Sequence, residues 1–497
     1  MTGSGLRAAG RLARQSHTAY SRSQVNREIT RSLAAMASGV LAPGDPPPVP
    51  GGPDCLDYRG LATPGEIGVL DQRAHNTTIF RGGVLVDPRR GPQAPVGLPA
   101  DILRKHAAII GPTGSGKTSG VVIPWIYTAL ALGNTVVATD VKGDLLDSFL
   151  RYAQANGRLG VNAAKWDFTD PRGSISWDWL SELVDDGSLG AAVTAILGRE
   201  NKQSSADPFF YQRDSVMLKG LLRVASRLYP AGAAPGDLRR VLGDFRQMQD
   251  LITRHPGWPG VSELDSALLG VDAADHRRVV TGVTTALTKI DNPGFATVTR
   301  PSPTKLDSLF AQPTLLVISA PLKQGVTSHV VSTLALNLLV QRLYHRFGGR
   351  HRHCFLFIDE APRLVDRFSF EEVLSMSRSA DVSVVLAAQD VAQFKDEHDR
   401  SAIFANCATT LTLADSSPFT ADFIGKRLGT RRISTLSTGV QVQSGISPSV
   451  NRSFSDGPVL GDREIMHPPI PGRPAILHVK ARELGITPSP LLVDLTL

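Results

Sequence analysis

Cysteine is scarce in this 497-residue chain: Cys55, Cys354 and Cys407 are the only three, an odd number, far apart and without metal-ligand spacing. That excludes a disulfide framework and a cysteine-based zinc site, and fits ordinary thiols in a reducing cytosol. Long hydrophobic runs are missing too. No stretch of about 18 consecutive apolar residues occurs, so no membrane-spanning helix is expected. Internal repeats are not visible, and aromatic residues make up only 6%. A guanine-reading Asn-Lys-x-Asp is lacking, and no lid-like arginine cluster follows the one glycine-rich loop described below.

What is present is ordinary for a globular chain of two or three domains: 42% hydrophobic and 20% charged residues. The formal charge of +7 permits contact with nucleic acid or anionic lipid without establishing it. Residues 1–42 carry Arg7, Arg11, Arg14, Arg22, Arg27 and Arg31, no lysine, and Glu28 as the single acid. This composition is compatible with a solvated disordered tail, a transit peptide, or a basic arm for lipid or DNA. The segment APGDPPPVPGGPD (42–54) reads as a stiff, extended linker.

From residue 107 onward, apolar runs alternate with helical wording. The strand candidates are AAIIG (107–111), TVVATD (135–140), TLLVISA (314–320), CFLFID (354–359), VSVVLAAQ (382–389) and TTLTL (409–413). Continuous rather than alternating apolar runs indicate strands covered on both faces, hence an α/β domain with a mainly parallel sheet flanked by helices. Between the second and third runs the wording is helical for over a hundred residues, and loops of that length are rare in compact domains. An inserted all-α subdomain over about 180–305 is therefore expected. The division is 1–54 tail and linker, 55–104 N-terminal extension with one strand-like piece GGVLVD (82–87), 105–179 and 306–480 the two parts of a nucleotide-binding domain, and 481–497 a C-terminal tail. TLSTGVQVQSGISPSVNRSFSDG (435–457), rich in Ser and Gly, reads as a mobile loop.

Gly111-Pro112-Thr113-Gly114-Ser115-Gly116-Lys117-Thr118-Ser119 contains the whole of G-x-x-x-x-G-K-[ST], after an apolar strand and before a helical stretch. Glycines allow the backbone to wrap phosphates so that successive N–H groups face negative charge. Lys117 would reach the β- and γ-phosphates and the Thr118 hydroxyl would ligate Mg²⁺. CFLFIDE places Asp359 at the carboxyl end of a buried strand, where it could hold the Mg²⁺ shell, with Glu360 polarising a water. Gln389 ends the next strand and would face the γ-phosphate if that strand lies between the loop strand and the Asp strand. With no guanine-reading motif, ATP is the expected nucleotide.

Several stretches in succession resemble the coupling ATPases of type IV secretion and conjugation, the TraG/TraD type. They are GPTGSGKTSGVVIP, TDVKGDL (139–145), DPFFYQRDSVMLKGLL (207–222), IDEAPRL (358–364), AAQDVAQF (387–394) and VLGDREIMHPPIPGRPAILHVK from 459. The resemblance covers about 105–480, with the motifs in order. It implies a RecA-like P-loop ATPase with an inserted helical domain, assembling as a homo-hexamer. Such a motor moves DNA, single-stranded by analogy, or DNA with a relaxase-type or effector protein, to the components of a secretion channel. It also implies Lys117 and Thr118 for ATP and Mg²⁺, Asp359 and Glu360 for hydrolysis, and Gln389 for γ-phosphate sensing. Arg378 would be an arginine reaching the neighbouring subunit, although a surface cation on a helix is the alternative. Lys142 and Asp144 could equally be caps of the following helix.

Two departures stand out. The family commonly carries two N-terminal membrane helices, which this chain lacks, and SWDWL (176–180) stands where the family reads Ser-x-x-Trp-Asn-Pro-Leu. The expectation is a cytoplasmic, soluble member with peripheral contact to the inner membrane through its basic tail. Rival readings are an FtsK/HerA-like DNA translocase unconnected to secretion, a nucleotide-gated substrate receptor with little turnover, and a small-molecule kinase.

Overall fold

The computed structural model describes residues 61–75, 79–157, 160–199, 208–230, 232–300, 306–345, 351–442, 446–480 and 489–496. The arginine-rich tail, the proline-rich linker, Cys55 and residues 481–488 of the expected C-terminal tail lie outside them. The chain divides into two units, the larger comprising Ala62–Phe423 and Asp462–Leu497 and the smaller including Ile424–Gly461.

The larger unit is organised by one sheet. In chain order its strands are β1 (Phe80–Asp87), β2 (Gly91–Leu98), β3 (Ala107–Ile110), β4 (Thr135–Asp140), β5 (Asn162–Asp167), β6 (Thr314–Ser319), β7 (Cys354–Ile358), β8 (Val382–Ala388) and β9 (Thr409–Leu413). The smaller unit holds a separate hairpin of β10 (Thr430–Val442) and β11 (Ile446–Pro458), and β12 (Pro474–Val479) and β13 (Leu491–Asp494) return to the main sheet. The spatial order is β2-β1-β13-β12-β9-β3-β8-β7-β4-β6-β5. From β9 to β5 every neighbouring pair is parallel, and from β9 through β12, β13 and β1 to β2 every pair is antiparallel.

All six apolar runs expected to be strands are strands. In β3, β4, β6, β7, β8 and β9 every residue is buried, as a sheet layered by helices on both faces requires. The edges were hidden from the periodicity. β2 contains Pro92 and Pro95, which break strand wording, yet proline is tolerated on an edge strand because no outer neighbour needs its missing N–H. β5 forms the opposite edge, its first half exposed and its wording NAAKWD only partly apolar.

Helices cover the faces. After the glycine-rich loop, Thr118–Val122 forms one wide turn of π type leading into α1 (Ile123–Ala131), and α2 (Leu145–Ala155) follows β4. Trp125 on α1 is buried beneath β1, its Nε1 donating to Arg81 O at 2.8 Å and its ring edge-on to Phe80. Beyond β5 come α3 (Asp186–Leu197) and α4 (Pro208–Leu228), then Pro235–Gly243, Phe245–Arg254, Val261–Leu268, Ala273–Val279, Thr281–Thr288 and Pro293–Val298, before α5 (Val326–Tyr344) returns after β6. The helix Val261–Leu268 crosses α4 at a glycine pair: a Cβ on Gly260 would lie 2.4 Å from Gly220 O. No helix among the described residues is long and apolar enough to cross a membrane.

In the smaller unit, residues 435–442 and 446–457 of the stretch expected to be a mobile loop lie in the paired strands β10 and β11, antiparallel from Thr430 opposite Pro458 to Val442 opposite Ile446. Serine, threonine and valine satisfy a backbone ladder as well as a loop, because polarity reports solvent contact rather than irregularity.

Candidate nucleotide-binding site

The glycine-rich loop leaves β3 at the carboxyl edge of the sheet, with Gly111 N–H held by Ala388 O of β8 at 3.1 Å. Gly114 (φ 84°) and Gly116 (φ 81°) occupy the left-handed region, which residues with a Cβ rarely adopt. Ser115 Oγ donates to Pro112 O at 2.8 Å, closing the loop on itself. Lys117 is buried under this arch, its Nζ donating to Gly111 O at 2.5 Å and Pro112 O at 3.1 Å. Thr113 and Gly114 at the tip are exposed, as is Ser119 on the wide turn.

Strand order brings the remaining groups in. β8 lies between β3 and β7, parallel to both, so Gln389 at its end stands between the loop and the acidic pair. Thr118 Oγ1 donates to Asp359 Oδ2 at 3.3 Å. Gln389 Nε2 donates to Glu360 Oε1 at 2.9 Å, and its Oε1 accepts from Thr113 Oγ1 at 2.9 Å. Residues separated by up to 276 positions along the chain thus meet in one polar cluster. Asp359 is held by its backbone, donating N–H to Thr139 Oγ1 of β4 at 3.0 Å. Glu360 adopts a left-handed conformation, φ 53° and ψ 43°, a strained state for a residue with a side chain that recurs at functional sites.

The electrostatics are unbalanced. Burial raises the Asp359 pKa above the usual carboxylate range, and the Glu360 charge pushes the same way, while Lys117 opposes both. Burial lowers the Lys117 pKa, against the pull of Glu360 and Asp359. A buried carboxylate bonded to a hydroxyl, with a second carboxylate next to it in the chain, favours a hard dication, which would offset the cost of burying the Asp359 charge. The chemistry of the donor set therefore fits Mg²⁺ at Thr118 and Asp359, and phosphate at Lys117 and the loop.

Asp140 stands in the TDVKGDL stretch but was given no role of its own. Its carboxylate accepts from the N–H groups of Lys142, Gly143 and Leu145 at 2.8–3.0 Å, so it caps α2 from the end of β4. That corrects the alternative in which Lys142 or Asp144 caps the helix: the Asp144 side chain makes no capping bond. Arg473 was also missed. From the turn before β12, its Nη2 donates to Ser115 O at 3.0 Å and Gly116 O at 3.2 Å. A Cβ on Gly116 would lie 1.9 Å from that nitrogen, so the second glycine of the motif also makes room for the guanidinium. Nothing in the spacing along the chain signals Arg473, since 357 residues separate it from Gly116.

Arg378 is not in the cluster. It is exposed on the turn Ser377–Ala380, at the amino end of β8, whereas Gln389 follows the carboxyl end. The strand between them spans about 20 Å. Its charge lowers the pKa of neighbouring Lys105 and His106, in each case after burial as the larger cause.

Two families match the chain: residues 66–254 match the one described as Type IV secretory system Conjugative DNA transfer, and 353–469 the TraM recognition site of TraD and TraG. No curated protein matches in sequence. Among solved structures, the chain is similar to the unbound bacterial conjugative coupling protein TrwBΔN70 (TM-score 0.62, 17% identity, covering 88% of this chain and 92% of that one). The plasmid coupling protein TrwB with ADP and Mg²⁺ gives 0.62 and 17%, covering 86% and 92%, and TrwB with a non-hydrolysable ATP analogue gives 0.61 and 17%, covering 86% and 97%. At such identity the likeness establishes the fold, a RecA-like P-loop sheet.

Proposed function

We propose that this chain, which belongs to the coupling-protein family of type IV secretion and conjugation, is an ATP-hydrolysing motor that binds DNA, or DNA with attached protein, and moves it to a secretion or conjugation channel. The observation that carries this is the meeting of Lys117, Thr118, Asp359, Glu360 and Gln389 at one edge of the sheet, in a chain whose residues 66–254 match a family of conjugative DNA transfer and 353–469 a TraM recognition site. Solved relatives of the same fold hold ADP with Mg²⁺ or an ATP analogue, which supports ATP and Mg²⁺ here.

In this mechanism Lys117 leaves the loop carbonyls for the β- and γ-phosphates, and the loop N–H groups bind the remaining oxygens. Thr118 and Asp359 would hold Mg²⁺, which would supply neutralisation of the phosphate charge. Glu360 orients a water in line with the γ-phosphate and accepts its proton. Gln389, bonded to Glu360 on one side and Thr113 on the other, registers whether the γ-phosphate is present. Arg378, far from its own site, would serve the neighbouring subunit of a homo-hexamer, where an arginine supplied in trans is worth about 10³–10⁵ in rate. Residues 180–305 act as a helical domain inserted in a nucleotide domain formed by 105–179 and 306–480. The match of 353–469 to a TraM recognition site supports a protein partner of relaxosome type. The basic tail is assigned to lipid or DNA contact at the cytoplasmic face of the inner membrane.

ATPase rate measured across a protein-concentration series, with and without single-stranded DNA, tests the motor. Rate per subunit should rise with concentration and with DNA, and Glu360→Gln should abolish it while leaving nucleotide binding. Equal, negligible rates for wild type and Glu360→Gln would instead favour a nucleotide-gated receptor. Full stimulation by blunt duplex without any partner would favour a translocase unconnected to secretion.

A further inference from the structure

Beyond the nucleotide site, the segment that follows the acidic pair is fastened to the helices after β5 by bonds that phosphate binding does not itself require. Glu360 heads the tight turn Ala361–Leu364, and the backbone continues hydrogen-bonded: Arg363 N–H donates to Glu360 O and Arg367 N–H to Leu364 O, each at 3.0 Å. At the end of this run Arg367 reaches helix α3. Its Nη1 donates to Ala195 O at 2.6 Å and Ile196 O at 2.8 Å, carbonyls of the last turn. The carboxyl end of a helix has unsatisfied carbonyls and partial negative charge, which a cation complements.

The same junction is tied from three other directions. Arg199 N–H, just past α3, donates to Asp366 O at 2.8 Å, and its Nη1 donates to Val365 O at 3.3 Å and Asp399 Oδ2 at 3.2 Å. Asn337 on α5 donates to Arg367 O at 3.0 Å. Gly198 (φ 101°) turns the chain against Asp366 and Arg367, and its carbonyl accepts from Tyr211 on the first turn of α4 at 2.9 Å. Arg367 is half-buried, burial lowering its pKa and Asp366 opposing the shift, and its guanidinium is bonded to helix-end carbonyls.

We propose that Arg367 is a positioning residue that couples Glu360 to helices α3 and α4. Closure of the site on ATP shifts Glu360, the hydrogen-bonded run 360–367 carries the shift to the end of α3, and Gly198 passes it to the start of α4. By reciprocity, whatever engages those helices biases Glu360 in turn. The inference rests on the reading of Glu360 as the group that meets the terminal phosphate. An arginine that merely capped α3 would affect stability and leave the nucleotide response of α3 intact.

Hydrogen exchange on the full chain, with and without a non-hydrolysable ATP analogue and Mg²⁺, separates these. In wild type the analogue should alter exchange both in 111–120 and in 186–199. Arg367→Ala should keep the first response and lose the second. Its kcat should fall about 2- to 30-fold, the range over which residues between two sites tune coupling, with the KM for ATP unchanged and partial rescue by Arg367→Lys. If Arg367→Ala does not fold, Arg199→Ala should give the same split at smaller amplitude. A retained response in 186–199 in these folded variants overturns the proposal. Absence of any response in 111–120 of wild type would instead sink the reading of the nucleotide site, and the coupling with it.

Discussion

Gln389→Ala is the sharpest perturbation of the site, because one amide bonds both the loop and the acidic pair. In the structure it donates to Glu360 at 2.9 Å and accepts from Thr113 at 2.9 Å. The first bond has a carboxylate acceptor, and removing such a bond costs about 1.5–3 kcal/mol. If that loss falls on the step in which Glu360 orients water, the rate drops about 10- to 150-fold, one decade for each 1.4 kcal/mol. The second bond is a neutral one at the exposed loop tip, worth about 0.5–1.5 kcal/mol, and it restrains the loop before nucleotide binds. Its removal should leave ATP affinity within a few-fold of wild type, because the phosphate contacts of Lys117 and the loop backbone remain. Steady-state kinetics with a coupled phosphate assay should therefore show kcat falling with little change in KM. Gln389→Glu, of the same shape, should be at least as slow, since it sets a second carboxylate beside Glu360. An unaltered kcat in Gln389→Ala, or a loss confined to KM, would refute the placement of Gln389 between the γ-phosphate and the acid.

Three further outcomes are expected. His106 is buried and His353 half-buried at the amino end of the sheet, with burial lowering their pKa to about 4 and about 3. The unfolded chain takes up protons on both rings below about pH 6.5 while the folded chain does not. Stability is therefore flat above that pH and lost below it, by about 2 kcal/mol per ring at pH 5. Thermal melts at pH 7.5 and 5 should show this loss in wild type and much less of it in His106→Asn/His353→Gln; equal losses would refute it. Arg473→Ala frees the Ser115 and Gly116 carbonyls, and should weaken ATP binding about tenfold, as losing charged hydrogen bonds does, measured by calorimetry with Mg²⁺. Gly260→Ala drives a Cβ to 2.4 Å from Gly220 O at φ 94°, and should destabilise the helices around α4 by about 1–3 kcal/mol, seen as faster hydrogen exchange in 208–228 with exchange in 107–117 unchanged.

Much of the site was legible because its parts are local. The loop from Gly111 to Ser119 declares its chemistry within nine residues, and Asp359–Glu360 stand at the end of an apolar run that can only be a buried strand. The edge strands were not legible, since Pro92 and Pro95 in β2 and the mixed wording of β5 satisfy no periodicity. Asp140 was passed over for its neighbours because a cap is chosen by which carboxylate reaches the free N–H groups, not by proximity along the chain.

The sequence by itself determined the fold class and the wording of a nucleotide site: a phosphate loop, a buried acidic strand end, and strands too apolar to face water. Only the tertiary structure decided which groups act together. It inserted β8 between β3 and β7, which made Gln389 a bridge, set Arg473 behind Gly116, carried Arg378 to the far end of its strand, and tied Arg367 to α3. The physical reason is that a motif is fixed by bonds along the chain. The contacts that turn motifs into a site are fixed by the order of strands in a sheet, to which residues hundreds of positions apart contribute equally.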